Sequence, residues 1–303
     1  LNMTGAQSEH DALKSESLTE EEALELATAL KQKLSNGELP NSDLESINKM
    51  VAGLGDNRGE LRLTFAKSLG TVGEDAMPIL CEALKKSSSV TIRRASAKTL
   101  NIIGSKKALP NLIEAFETDE DPVVQGSSAG AMATIGEVAI EPLLKILTGP
   151  KCTAFQIGLI NLALGFIGSK SPMALHSATS SKNPEIRIAA LSALAEQAQK
   201  QENNQVRILI LNALKDQNSE VRAEAATIVG KSMDQEDAAC HLHALLKDEN
   251  TQVRKNTALS LMKMESVISI DCIEKAIHKE SDDQVKGVFI VARNQLINRL
   301  DTN

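Results

Sequence analysis

Apolar residues recur along this chain in a long, regular rhythm. An apolar anchor, usually followed by Arg or Lys and opening an Ala-rich stretch, stands at Leu61, Ile92, Val124, Phe155, Ile186, Val221, Val253 and Val285. Successive anchors are 31 to 35 residues apart. Counting from each anchor, the eighth residue on is apolar in all repeats but the last: Leu69, Leu100, Met132, Ala163, Leu194, Val229 and Leu261. The eleventh repeats the pattern in Val72, Ile103, Ile135, Phe166, Met264 and Leu296. With Ala66, Ala95, Ala129, Ala189, Ala225 and Ala258 filling positions three to five, each segment carries one apolar stripe at helical spacing. A fixed period of this size is the signature of stacked supersecondary units, a solenoid.

The punctuation between stripes defines a second helix in each unit. Gly73, Gly104, Gly136 and Gly168 fall twelve or thirteen residues after an anchor, where a helix end favours left-handed backbone. Pro78, Pro110, Pro142 and Pro172 follow at constant offset, suited to the first turn of the next helix. The second helices are expected over Ile79–Leu84, Leu112–Phe116, Leu143–Leu147 and Met173–Ala178. Later repeats keep the anchors but turn through polar stretches, Gln199–Asn204 and Lys231–Asp237, and the 35-residue step from Ile186 to Val221 places a short insertion in the first of these. In the last repeat Arg293 takes the apolar eighth position, as suits a terminal unit facing water.

Ahead of the first anchor, Thr19 with Glu22 and Ser42 with Glu45 form two capping boxes, in which each side chain satisfies a free backbone N–H at a helix start. They predict helices over roughly 19–35 and 42–53. Residues 18–56 are therefore expected to be an N-terminal helical cap, 57–303 the repeat solenoid, and 1–17 a disordered leader. The predicted fold is all-α, a right-handed α-α superhelix of about eight helix pairs.

Composition narrows the chemistry. The core must be aliphatic, since aromatics make up 2% of the 303 residues: five Phe, no Trp and no Tyr. A formal charge of −7 disfavours nucleic acid and anionic membranes as partners, which call for a basic footprint. Cys81, Cys152, Cys240 and Cys272 stand in different repeats and read as reduced, mostly buried thiols in a reducing compartment, the cytoplasm or a plastid stroma. No apolar run reaches the 18 or so residues of a membrane span.

The openings Asn183–Arg187 (NPEIR), Asn218–Arg222 (NSEVR) and Asn250–Arg254 (NTQVR) resemble those of short HEAT repeats. A narrower resemblance lies in the stretches Ile92–Phe116, Asp121–Leu147 and Gly158–Gly168. In order and content these are similar to the HEAT-like proteins of phycobilisome-containing cyanobacteria: the E/F-type phycobilin lyases, their chaperone-like partners, the phycobilisome-degradation proteins and an iron–sulfur-assembly accessory protein. The resemblance implies a folded protein partner, either a phycobiliprotein subunit or a second HEAT-like protein. It also implies a transient open-chain tetrapyrrole, with no permanently bound cofactor. It leaves open a lyase component, a chaperone-like partner, a non-enzymatic adaptor and a general scaffold. Where relatives carry His and Trp this chain has Leu159 and Leu162, which favours holding a partner over catalysis.

In HEAT solenoids the second helix of each pair lines the concave face. The binding candidates here are accordingly Glu82, Lys85, Glu114, Glu117, Glu141, Lys145, His176 and Thr179. The Arg residues after the anchors (Arg62, Arg93, Arg187, Arg222, Arg254) suit carboxylates through bidentate hydrogen bonds. Their recurrence in every turn assigns them first to a ladder with acidic or Asn side chains of adjacent repeats. Cys240 and His243 are soft-metal donors on one helical face, but a closed site needs four ligands and no second cluster is visible, so no metal is expected. Cys152, beside Lys151, is the thiol expected to be most reactive. Gly126 and Gly130 inside a first helix suggest close helix–helix contact.

Overall fold

The computed structural model describes residues 18–199, 204–233 and 236–300. The expected leader (1–17) lies outside them, as do residues 200–203 of the first polar turn and 234–235 of the second. Sixteen α-helices and no strand occur among the described residues. The chain divides into two compact units, meeting between Pro142 and Leu143.

The first unit contains α1 (Glu20–Ser35), α2 (Leu44–Gly53), α3 (Gly59–Val72), α4 (Met77–Lys86), α5 (Val90–Ile103), α6 (Leu109–Thr118) and α7 (Pro122–Ile135). The boundary runs through α8 (Ile140–Leu147). The second unit contains α9 (Ala154–Lys170), α10 (Pro184–Ala198), α11 (Asn204–Ala213), α12 (Ser219–Ser232), α13 (Glu236–Leu242), α14 (Thr251–Lys263), α15 (Ile270–Lys279) and α16 (Asp283–Leu300). Within each unit the first helices of successive repeats pack side by side, α1–α3–α5–α7 and α9–α10–α12–α14–α16. Second helices pack behind them, as α4 does on α5 and α6 on α7.

The anchor is the third residue after the helix N-cap. Asp121, Asn218 and Asn250 each accept the anchor's backbone N–H through the side chain, and Ser89 does so for Ile92. Such caps satisfy donors the helix cannot reach itself. Val124, Val221, Val253 and Val285 are fully buried, and the eighth-position residues from Leu69 to Leu261 are at most 3% exposed.

Repeat five departs from the expected register by one residue. Thr153 is the N-cap and forms a capping box with Gln156, so the anchor position is Gln156, not Phe155. Gln156, Leu164 and Ile167 are buried, whereas Phe155 and Phe166 are exposed. The glycine spacing carried this information: Gly168 is thirteen residues from Phe155 but twelve from Gln156, matching the other three repeats.

Gly73, Gly104 and Gly136 end their helices at positive φ (75°, 66° and 90°), as expected. Gly168 does not; α9 continues to Lys170. An added Cβ at Gly168 would lie 2.9 Å from the Ala193 carbonyl oxygen, so close packing on α10 explains the glycine instead. In repeat seven Glu265 occupies the equivalent position with φ 55° and ion-pairs with Arg299. Two further expectations are corrected. The segment expected as a helix over Met173–Ala178 forms short 3-10 turns, Pro172–Leu175 and Ala178–Ser180. The cap of α2 is Asp43, whose carboxylate accepts from the Ser46 N–H, rather than Ser42.

Candidate functional site

The arginines after the anchors form a structural ladder. Arg93 donates from Nε and Nη2 to Asp119 at 2.7 and 3.1 Å. Arg187 holds Asp216 in the same way (2.8 and 2.7 Å), Arg222 holds Asp248 (2.8 and 2.8 Å) and Arg254 holds Glu280 (2.7 and 2.9 Å). In each case Nη1 donates to the carbonyl six residues back, pinning the arginine's own turn. The acid accepts, in addition, the backbone N–H of the following N-cap residue, as Asp119 does from Asp121. One planar fork thus ties three segments together. Burial opposes ionisation of Asp119, Asp248 and Glu280, but the arginine and backbone hydrogen bonds outweigh it and hold all three below the usual carboxylate range. Four arginines are thereby committed to repeat stacking. Arg62 is the exception: its Nη1 serves the Asp56 and Asn57 carbonyls, and the position that would supply the acid is Ser87. Ser87 accepts the Ser89 N–H, as the acids do for their N-caps, but has no carboxylate for the fork.

The second-helix candidates separate into small groups. Lys85 and Glu114 form an ion pair at 2.6 Å beside a cavity of about 310 Å³ whose lining includes Asn111, Thr118 and Glu120. Glu82 pairs with Lys86 along α4 at 3.0 Å. Glu117, Glu141 and Lys145 are exposed. His176 and Thr179 lie in the 3-10 segment, where the Thr179 hydroxyl donates to the His176 carbonyl at 2.7 Å. Most of these side chains face water; Glu82 is paired within its own helix, and Lys85 with Glu114 of the next repeat.

His243 is engaged with a serine pair rather than with a thiol. His243 Nε2 lies 2.8 Å from the buried Ser269 hydroxyl, itself 2.8 Å from Ser266. Burial lowers the His243 pKa and favours the neutral ring. Cys240 is exposed and the other three thiols are half-buried, so the expectation of mostly buried cysteines is corrected; no group of three or more His, Cys, Asp or Glu suited to a metal occurs among the described residues. The expectation for Cys152 is overturned: burial raises its thiol pKa, and the adjacent Lys151 does not offset this. Gly130 is likewise corrected, since it is exposed with nothing within 4 Å of an added Cβ.

The largest feature missed by pattern reasoning is the outer face of α9. Ala154–Ser169 contains no charged residue, and outside the core its polar side chains are Asn161 and Ser169, so the helix is apolar over much of its circumference. Gln156, Ile160, Leu164 and Ile167 point into the core. On the opposite side Phe155, Leu162 and Phe166 are 50%, 73% and 42% exposed. Gly158 and Gly165 lie beside them, each with open space where a side chain would be. Lys170 closes the face, its Nζ 4.4 Å from the Phe166 ring centroid, a cation–π contact. The equivalent faces of α5 and α14 carry exposed charges, Arg94 and Lys98 on one and Lys263 on the other. The uncharged run was visible in the sequence, but periodicity cannot say which side of such a helix is covered.

A family model for HEAT repeats matches residues 47–133 and 206–292, and the chain belongs to the HEAT-repeat family. It is 81% identical over 295 residues to the bilin biosynthesis protein MpeU of Synechococcus sp. (strain WH8020), a match covering 97% of this chain and 99% of that one. A second relative, the uncharacterized phycocyanin operon protein Z of Pseudanabaena tenuis (strain PCC 7409), is 30% identical over 129 residues, covering 40% of this chain and 63% of that protein. Similar solved structures include the CpcE–CpcF complex of phycocyanin lyase from Nostoc sp. PCC7120 (19% identity, 82% of this chain and 94% of that one, TM-score 0.34). Human deoxyhypusine hydroxylase is another (17% identity, 84% and 96%, TM-score 0.36). No helix among the described residues is long and apolar enough to cross a membrane.

Proposed function

We propose that this chain is a protein-binding HEAT-repeat module of bilin attachment, acting on a phycobiliprotein subunit as a lyase component or chaperone-like partner. The observation that carries the reading is the 81% identity, almost end to end, with a protein named for bilin biosynthesis. The stacked repeats supply the ordered surface such a role requires, because arginine rungs tie neighbouring turns together within each unit, one in the first and three in the second. The chain works by orientation: it holds a bilin vinyl group beside a cysteine of the acceptor protein. The acceptor's thiol adds across that double bond, sulfur to one carbon and the proton to the other. Two of this chain's own thiols, Cys81 and Cys152, are poor nucleophiles for the step, since burial raises their pKa. The reading places the protein in the compartment where phycobiliproteins are assembled, cytoplasm or plastid stroma.

Co-expression with a phycobiliprotein subunit and a bilin-synthesis pathway tests this. Covalent chromophore on the subunit, dependent on this chain, supports the lyase component. Co-purification without added chromophore supports the chaperone-like role. The absence of both would overturn the reading and leave a general scaffold.

A further inference from the structure

We propose that the outer face of α9 is the surface on which the conjugated rings of the bilin lie, a site that rests on the reading above. The first ground is the distribution of aromatics. Of the five Phe, three (Phe65, Phe116 and Phe289) are fully buried, and there is no Trp or Tyr. The two that remain exposed, Phe155 and Phe166, stand on one face of one helix, three turns apart, or roughly 16 Å at 1.5 Å per residue. This is all the exposed aromatic surface the protein has for stacking on a flat π system.

The second ground is the pair of glycines. Inside a helix glycine is disfavoured against alanine because it loses more backbone freedom on folding. At Gly53, Gly70 and Gly230 the fold explains the residue, since an added Cβ would lie 2.4–2.5 Å from a neighbouring atom. At Gly158 and Gly165 nothing lies within 4 Å, as is also true of Gly130 in α7 and Gly287 in α16; what sets α9 apart is that it carries two such glycines, one on either side of the exposed Leu162. The fold does not require them, and they leave bare backbone flanking Leu162, where a planar edge can approach. The third ground is charge. Bilins carry propionate groups, and Lys170 has no carboxylate partner among the described residues while its ammonium sits over Phe166. An apolar face with exposed rings and one cation at its end suits a flat, conjugated, carboxylate-bearing ligand. A hydrocarbon or an acidic peptide meets only half of it.

The test is a titration of the full chain with biliverdin, read by visible absorption and induced circular dichroism. Four variants are compared: Leu162→Glu, Lys170→Ala, the double change Gly158→Ala with Gly165→Ala, and Leu259→Glu as an exposed apolar control on α14. Leu162→Glu is expected to weaken biliverdin binding at least tenfold, Lys170→Ala several-fold, and Leu259→Glu not at all. The double alanine variant is expected to raise the melting midpoint by about 2–4 °C through helix propensity and yet bind less, a combination that a merely structural role of the glycines does not produce. Wild-type affinity in the α9 variants would overturn this site while leaving the bilin reading intact. Loss of co-purification with the phycobiliprotein subunit, with biliverdin binding retained, would also overturn it and make the face a protein-docking surface. Failure of the wild-type chain to take up biliverdin overturns the site as well, and the co-expression experiment then decides the broader reading independently.

Discussion

Replacing Ser87 by Asp should complete a rung that the ladder lacks. Arg62 holds its own turn through Nη1, as its four counterparts do, but its Nε and Nη2 hydrogens meet no acceptor among the described residues. Every rung with an acid in the Ser87 position places two carboxylate oxygens 2.7–3.1 Å from the fork. The side chains of those pairs are 5–17% exposed, so water screens them less than an ordinary surface pair. Two added charge-assisted bonds work against the desolvation of a new carboxylate and the ordering of a side chain. The net gain is put at about 1 kcal/mol, above the median of exposed ion pairs. For a chain of this size that corresponds to roughly 1–2 °C in midpoint. Thermal and urea unfolding followed by circular dichroism at 222 nm would measure it. Ser87→Asn is the control: it can accept the Ser89 N–H but carries no charge. The decisive arm is Arg62→Ala combined with Ser87→Asp, because a double-mutant cycle isolates the pair. The reasoning fails if Ser87→Asp is no more stable than Ser87→Asn, or if its gain survives without Arg62.

Two further outcomes follow from the same packing. At Gly230 an added Cβ would lie 2.4 Å from Ser260 Cβ and 2.6 Å from its Cα, so α12 and α14 would have to separate; Gly230→Ala should cost about 1–2 kcal/mol net of its helix-propensity gain, seen as a lower urea midpoint that Ser260→Gly does not rescue. Asp119, Asp248 and Glu280 have folded pKa values below their unfolded ones, so their contribution is complete above about pH 5, clear of the unfolded values, and is lost as pH falls through the folded values; urea midpoints should be flat from neutrality to about pH 5 and drop below pH 4, with a shallower drop in Asp119→Asn and Asp248→Asn.

Much of the ladder was legible in the sequence because it is built from local instructions. A cap, the anchor three residues on and the Arg beside it are set within one helical turn, so their spacing records them directly. The Gly residues ending α3, α5 and α7 belong to the same class, since a positive φ is demanded by the helix end itself. Repeat five was misread at Phe155 because an apolar residue stood next to the true anchor, and the polar Gln156 was buried by its capping box. The sharper local signals, Thr153 with Gln156 and the constant twelve-residue glycine offset, outweigh hydrophobicity there.

What the sequence determined by itself was the helical period, the caps, the positions of the arginine forks and the aliphatic core. All of these depend on neighbours along the chain. Tertiary structure alone decided which acid each fork reaches, since those partners lie 26 to 29 residues away in the next turn. It also decided which side of α9 stays uncovered. A helix without charges and with apolar residues on both faces has little periodicity to read, and only the packing of its neighbours distinguishes the core residue Ile160 from the exposed Leu162.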